Sequence, residues 1–240
     1  MWFACVIHGV HPNNKWVQTY TRVLRNVAAN SPILVLESNT NDFDADLELN
    51  PVLNRVKEGT ILDRLKEGRQ SWLRILEENL VKHLPSHSSD IKSFDSPKLV
   101  FIGAVMLVET LRSENGNCSL ILDYFEDPNL EKSDVRGVME TIVDNVHQCF
   151  LDTLKMNSFE MTGIALGRRE LKELLIRCCH TVPTIQNLAA KCCSRLISAH
   201  PALLCSEVTT YVLLELLTLL WDGCLSQETD LVMASLISLI

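Results

Sequence analysis

The residues best suited to chemistry are two vicinal cysteine pairs, Cys178-Cys179 followed by His180, and Cys192-Cys193. Thiolates and imidazole are the ligands of zinc, which wants four of them converging in a tetrahedron. The spacing here is neither C-x-x-C nor C-x-x-C-H, and neighbouring side chains on a helix point about 100° apart. Two readings follow: a metal centre, or one cysteine of each pair lying in a helix core as a small apolar residue. The second suits the geometry better.

Other constellations are weaker. Asp42, Asp44 and Asp46 imitate the opening ligands of a calcium loop, but Leu47 and Leu53 stand where that loop needs Gly and Glu. A solvated acidic loop is expected there. His83 and His87 have i, i+4 spacing, yet Pro85 breaks the helical face that would align them. The lone histidines are read as surface or core residues rather than ligands. Asn117-Cys118-Ser119 matches a glycosylation acceptor. Gly163 and Gly167 have G-x-x-x-G spacing in a polar-flanked helix. The sequence contains no Walker loop, no dinucleotide fingerprint, no His-Arg-Asp catalytic loop, no Asp-Phe-Gly and no Gly-x-Ser-x-Gly elbow. No catalytic, cofactor-binding or metal-binding residue is therefore assigned, and no cofactor is expected in this chain.

Composition narrows the field. The chain has 240 residues, with 22 Lys+Arg against 30 Asp+Glu and a formal charge of −8. An acid excess argues against a nucleic-acid binder, which needs a basic face. With 9 Gly and 8 Pro, breakers are sparse, and a β-rich fold would need more turns. The cysteines show no secreted framework, and the apolar opening Met1 to Ile7 lacks a basic leader. The longest apolar run, Leu99 to Val108, is about half the ~20 residues that a bilayer span needs. A soluble chain in a reducing, cytoplasmic compartment is expected, with no transmembrane segment.

Helical periodicity dominates. Ile61, Leu62, Leu65, Trp72, Leu73, Leu76, Leu80 and Leu84 recur at three- and four-residue steps, from an N-cap at Thr60 to a stop at Pro85. A polar loop is expected over Ser86 to Ser96. Next comes a helix from Pro97 to Arg112, apolar nearly all round and so buried on several sides, which Asn115-Gly116-Asn117 ends. Ser133 or Asp134 caps a helix with the stripe Val135, Val138, Met139, Ile142, Val146, Cys149, Phe150 and Leu154. Helices follow over about Phe159–His180, Thr184–Ala199 and Ala202–Cys224, with a last segment to Ile240. Asn26 to Leu34 and Arg195 to Leu203 both end a helix at a proline and restart apolar, as a solenoid corner does. Two ordinary Pro-terminated helices would look the same. The pattern predicts an all-α fold: one α-solenoid segment over 1–240, built of HEAT/armadillo-like stacked antiparallel helix pairs, with surface loops near 38–58 and 85–96. Neither end carries the polar cap that a repeat array needs, so a slice of a longer array, or ends that dock elsewhere, is expected.

Several segments carry a resemblance. These are Trp2-Phe3-Ala4-Cys5-Val6, Trp16, Val23 to Leu34 with Ser31-Pro32, Phe101 to Arg112 with Glu109 and Arg112, and Asp123-Tyr124-Phe125-Glu126-Asp127 leading to Val146 and Phe150. In that order they resemble the helical N-terminal region of the type III alpha phosphatidylinositol 4-kinases, collinearly from about Trp2 to at least Trp221. The segments 38–58 and 85–96 depart from the pattern. So does Val232 to Ile240, which suggests a truncated gene product. The resemblance implies a non-catalytic helical scaffold. In full-length members, an ATP- and Mg-dependent domain absent from this chain phosphorylates phosphatidylinositol at the 4-position. It also implies adaptor proteins and homodimerisation as partners, and recruitment to the plasma membrane through those partners. The competing expectation is a HEAT-like interaction scaffold unrelated to lipid kinases.

Overall fold

The computed structural model describes residues 2–7, 10, 15–34, 73–156 and 161–226. The acidic loop with Asp42, Asp44 and Asp46, the helix start at Thr60 and the segment Leu231 to Ile240 lie outside the described residues. Among the described residues there are helices and turns and no strand. The α-helices are α1 (Trp2–Ile7), α2 (Lys15–Thr19), α3 (Thr21–Ala29), α4 (73–83), α5 (Ser88–Ser93), α6 (Ser96–Glu114), α7 (Pro128–Glu131), α8 (Arg136–Met156), α9 (Met161–Arg177), α10 (Pro183–Ala199) and α11 (Glu207–Ser226). Short 3-10 helices occupy Pro85–His87, Ser119–Glu126 and Pro201–Cys205.

The chain divides into two compact units. One takes the described residues up to Thr21 and from Leu34 to Val108; the other takes Arg22–Ile33 and those from Glu109 onward. In the first, every residue of α6 from Leu99 to Val108 that bears a side chain is buried, as its all-round apolar pattern predicts. Gly103 sits where a Cβ would come 2.9 Å from Leu76 Cδ1 and 3.0 Å from Val6 Cγ1. The missing side chain is what lets α1 and α4 approach α6 there. Asp95 caps α6 by accepting the Lys98 N–H at 3.2 Å. The stretch expected as a loop over 85–96 is instead largely helical. Ile91 and Phe94 are buried and anchor it, while Ser88, Ser89, Asp90 and Lys92 fill its outer side.

In the second unit the long helices stack as an all-α, solenoid-like array. The helix α9 packs on α8, α10 and α11, and α10 packs on α8, Ser119–Glu126 and Pro201–Cys205. The stripe expected on α8 is buried except at Cys149, which is half-exposed, while His147 is buried in the same helix. Ser133 does not cap α8 directly. Its Oγ accepts the Val135 N–H at 3.1 Å and shapes the turn before Arg136. The helix expected from Ala202 is interrupted, because Pro201–Cys205 is 3-10 and the chain is extended at Ser206 before α11 begins. The two Pro corners therefore differ: His200-Pro201 restarts at once as 3-10 helix, whereas residues 32–34 are non-helical. The G-x-x-x-G face serves packing, since a Cβ on Gly167 would lie 3.1 Å from Leu203 Cδ2 and 3.5 Å from Leu154 Cδ1.

The end of α6 is a Schellman turn. Asn117 N–H donates to Arg112 O at 3.1 Å and Gly116 N–H to Ser113 O at 3.0 Å, with Gly116 at φ +85°. An added Cβ there would also meet Leu166 Cδ2 at 2.7 Å. Gly116→Ala is expected to lower unfolding stability by about 1–2 kcal/mol, from the left-handed backbone alone. Urea denaturation of the two proteins measures this, and an unchanged midpoint would remove the turn from the account.

Candidate functional site

The described residues place their most concentrated polar chemistry in a buried clasp. Arg112 lies in the last turn of α6 and is fully buried, as is Glu109 one turn before it. Arg112 Nε donates to Ala28 O at 2.8 Å, and Nη2 donates to Ser31 O and, at 3.0 Å, to Pro32 O. Nη1 donates to Glu109 Oε1, which also accepts the Tyr124 hydroxyl at 3.1 Å. One guanidinium thus reaches carbonyls at and just beyond the end of α3, joining the Ser31 N–H on Ala28 O. Glu109 Oε2 is buried with no hydrogen-bond partner among the described residues. Burial pushes the Glu109 carboxyl up to about 7, against the Arg112 guanidinium and the Tyr124 hydroxyl, which favour its charged form.

A second set of contacts ties α9 to residues 116–126. Glu170, buried in α9, accepts the Cys118 N–H at 2.8 Å and the Ser119 N–H through the same Oε1. It caps Ser119–Glu126, whose own N-cap residue makes no side-chain cap bond. Burial raises the Glu170 carboxyl pKa, and the backbone donors oppose that rise. Arg169 Nη2 donates to Gly116 O at 2.7 Å, and Arg177 Nη2 reaches Asp123 Oδ1 at 2.8 Å. His180 Nε2 lies 3.3 Å from Glu126 Oε1. Every residue of the Asp123-to-Asp127 block is therefore engaged. Tyr124 and Phe125 are core, Asp123 and Glu126 face α9 and the turn beyond it, and Asp127 Oδ1 caps α7 through the Asn129 N–H at 2.9 Å.

Among the described residues the sequence-flagged side chains form no metal-holding group, although Cys178 Sγ and Cys193 Sγ lie 3.9 Å apart. Cys178 is buried and Cys179 half-exposed, as the core reading expects, but Cys192 and Cys193 are both buried. His180 Nδ1 accepts the Val182 N–H at 3.1 Å. Among the described residues no group of three or more His, Cys, Asp or Glu side chains is arranged to hold a metal ion. His87 Nδ1 lies 3.0 Å from Asp90 Oδ2 in its own turn, not against His83. In the sequon, Cys118 and Ser119 are buried. An open depression of about 610 Å³ is lined by Arg25, Glu114, Cys149 and Asp152 among others. Its charges are already paired, with Arg25 Nη2 2.7 Å from Glu114 Oε2, and burial raises the Cys149 thiol pKa.

No family model matches this sequence, and no solved structure matches it. Two curated proteins do. The chain is 29% identical over 227 residues to phosphatidylinositol 4-kinase STT4 of Saccharomyces cerevisiae, covering 95% of this chain and 11% of the yeast protein. Over 230 residues it is again 29% identical to phosphatidylinositol 4-kinase stt4 of Schizosaccharomyces pombe, covering 96% of this chain and 11% of that protein. The chain is similar to phosphatidylinositol 4-kinases. It spans about a tenth of the length of these kinases. Of the residues quoted for the resemblance, Ser31-Pro32, Glu109, Arg112 and Tyr124 meet in the clasp. No helix among the described residues is long and apolar enough to cross a membrane.

Sequence reasoning missed Glu170 and His147. Each is a polar residue on an apolar stripe: Glu170 beside Leu171 and Leu174, His147 between Val143 and Leu151. Such an interruption was the available signal. His147 lies against Phe150, with ring centroids 6.4 Å apart, and neither ring nitrogen has a hydrogen-bond partner among the described residues. Burial, helped by Arg195 and opposed by Asp144, lowers its pKa to about 4. The neutral ring is favoured in the folded state, so its contribution is full above the unfolded pKa of about 6.5 and is lost as pH falls toward 4. Relative to wild type, His147→Leu is expected to retain roughly 3 kcal/mol more stability at pH 4 than at pH 7. Parallel urea curves at the two pH values test it; an identical pH dependence in both proteins would contradict it.

Proposed function

We propose that this chain is a non-catalytic helical support segment of a phosphatidylinositol 4-kinase. In that reading the complete protein transfers the ATP γ-phosphate to the 4-hydroxyl of phosphatidylinositol. This segment contributes shape, presenting helix faces to adaptor proteins or to a second copy, and meets the plasma membrane through those partners. The observation that carries the reading is the similarity to two phosphatidylinositol 4-kinases along 95–96% of the chain. The use of the buried charges supports it. Arg112, Glu109 and Glu170 bind backbone or one another. The outer side of α11 supports it as well: Val208, Tyr211, Leu214, Leu217 and Trp221 are exposed, an apolar ridge of the kind that helix-on-helix contacts cover.

The test is direct. The purified chain, given phosphatidylinositol vesicles, ATP and Mg²⁺, is expected to form no phosphatidylinositol 4-phosphate above a protein-free control, and to stay in the supernatant when the vesicles are sedimented. ATP-dependent phosphate transfer by the chain would overturn the non-catalytic reading. Sedimentation with bare lipid would overturn the claim that membrane contact runs through partners.

A further inference from the structure

We infer that Cys178 and Cys193 form a modification site: a dithiol that peroxide converts into an intrachain disulfide tying α9 to α10. Both side chains are fully buried, and their Sγ atoms touch at 3.9 Å. Cys178 is the first residue after Arg177, the end of α9, and Cys193 lies in the middle of α10, which packs directly on α9. A disulfide is about 2.05 Å long, so the sulfurs must close by roughly 1.8 Å. Cys178 stands at a helix terminus, where the chain turns over residues 178–182, and that turn can supply the movement.

Among the described residues the other thiols are worse placed. The vicinal pairs Cys178-Cys179 and Cys192-Cys193 have Cα atoms about 3.8 Å apart, shorter than the usual disulfide span. The exposed Cys205 lies in the next turn, Pro201–Cys205.

The chemistry balances with a peroxide as the two-electron oxidant. Cys178 thiolate attacks one peroxide oxygen and the O–O bond breaks. This leaves a sulfenic acid on Cys178 and a hydroxide that takes up the thiol proton as water. The Cys193 sulfur then attacks the sulfenic sulfur. The S–O bond breaks, the S–S bond forms, and hydroxide leaves with the Cys193 proton as a second water. Two thiols are oxidised and one peroxide is reduced. Cys178, at the turn that must open, is the first attacker, and Cys193, held inside α10, is the resolving partner. Burial of both sulfurs makes opening of the turn after α9 the slow event.

The experiment treats the folded full chain with hydrogen peroxide, alkylates the remaining thiols and maps the digest without reductant. The expected result is a peptide joining Cys178 to Cys193, with a thermal midpoint several degrees higher that returns on reduction. Cys178→Ala and Cys193→Ala should each abolish both effects, while Cys192→Ala should retain them. A cross-link between any other pair would overturn the proposal. So would sulfinic acid at Cys178 without a cross-link, or recovery of both thiols unmodified. The map of the unmutated chain is decisive if either alanine variant fails to fold.

Discussion

A helix end needs donors for its last carbonyls, and in this protein one buried arginine reaches three of them at the corner after α3. Ala28 O belongs to the last turn of α3, and Ser31 O and Pro32 O follow it around the corner. Ala28 O also accepts the Ser31 N–H at 3.1 Å, while Ser31 O and Pro32 O, on a half-buried serine and an exposed proline, are held by the buried Arg112. The planar guanidinium reaches all three and still has a donor for Glu109. Glu109 in turn holds Tyr124, the first residue of the Tyr-Phe-Glu-Asp block. A charge buried this way is costly to leave half-paired. Arg112, Glu109 and Tyr124 are therefore best understood as one unit.

The same logic recurs along α9. Arg169 takes the carbonyl of Gly116, Glu170 takes two N–H groups at the start of Ser119–Glu126, and Arg177 takes Asp123. These contacts anchor an irregular stretch between two long helices, where backbone groups lack regular partners. Polar side chains that would read as catalytic in a cleft here complete the hydrogen bonding of helix ends. That distinction is in keeping with the proposed support role, because these charges are spent on backbone and on one another.

Much of the fold was legible because the apolar stripes have helical spacing. Val138, Met139, Ile142, Val146, Phe150 and Leu154 are buried as their spacing requires, and α6 is buried along Leu99 to Val108. Periodicity tells which side of a helix is covered, not what covers it. Arg112 meets carbonyls 80 to 84 residues away, and Glu170 meets amides 51 and 52 residues away, so no local pattern could name those pairs. The stretch 85–96 was misread for a related reason. Its serines and charges suit a loop, and two apolar anchors, Ile91 and Phe94, were enough to make much of it helical. Among the segments quoted for the kinase resemblance, the contact of Ser31-Pro32, Glu109, Arg112 and Tyr124 became visible only in the structure.

The most direct measurement is native-state hydrogen exchange on the full chain and on Arg112→Met. If the guanidinium holds the corner, the amides of α3 lose protection in the variant by at least tenfold, while those in the middle of α10 keep theirs. Equal protection of α3 in both proteins, or a uniform loss that spares no helix, would show that the corner is held by something other than Arg112.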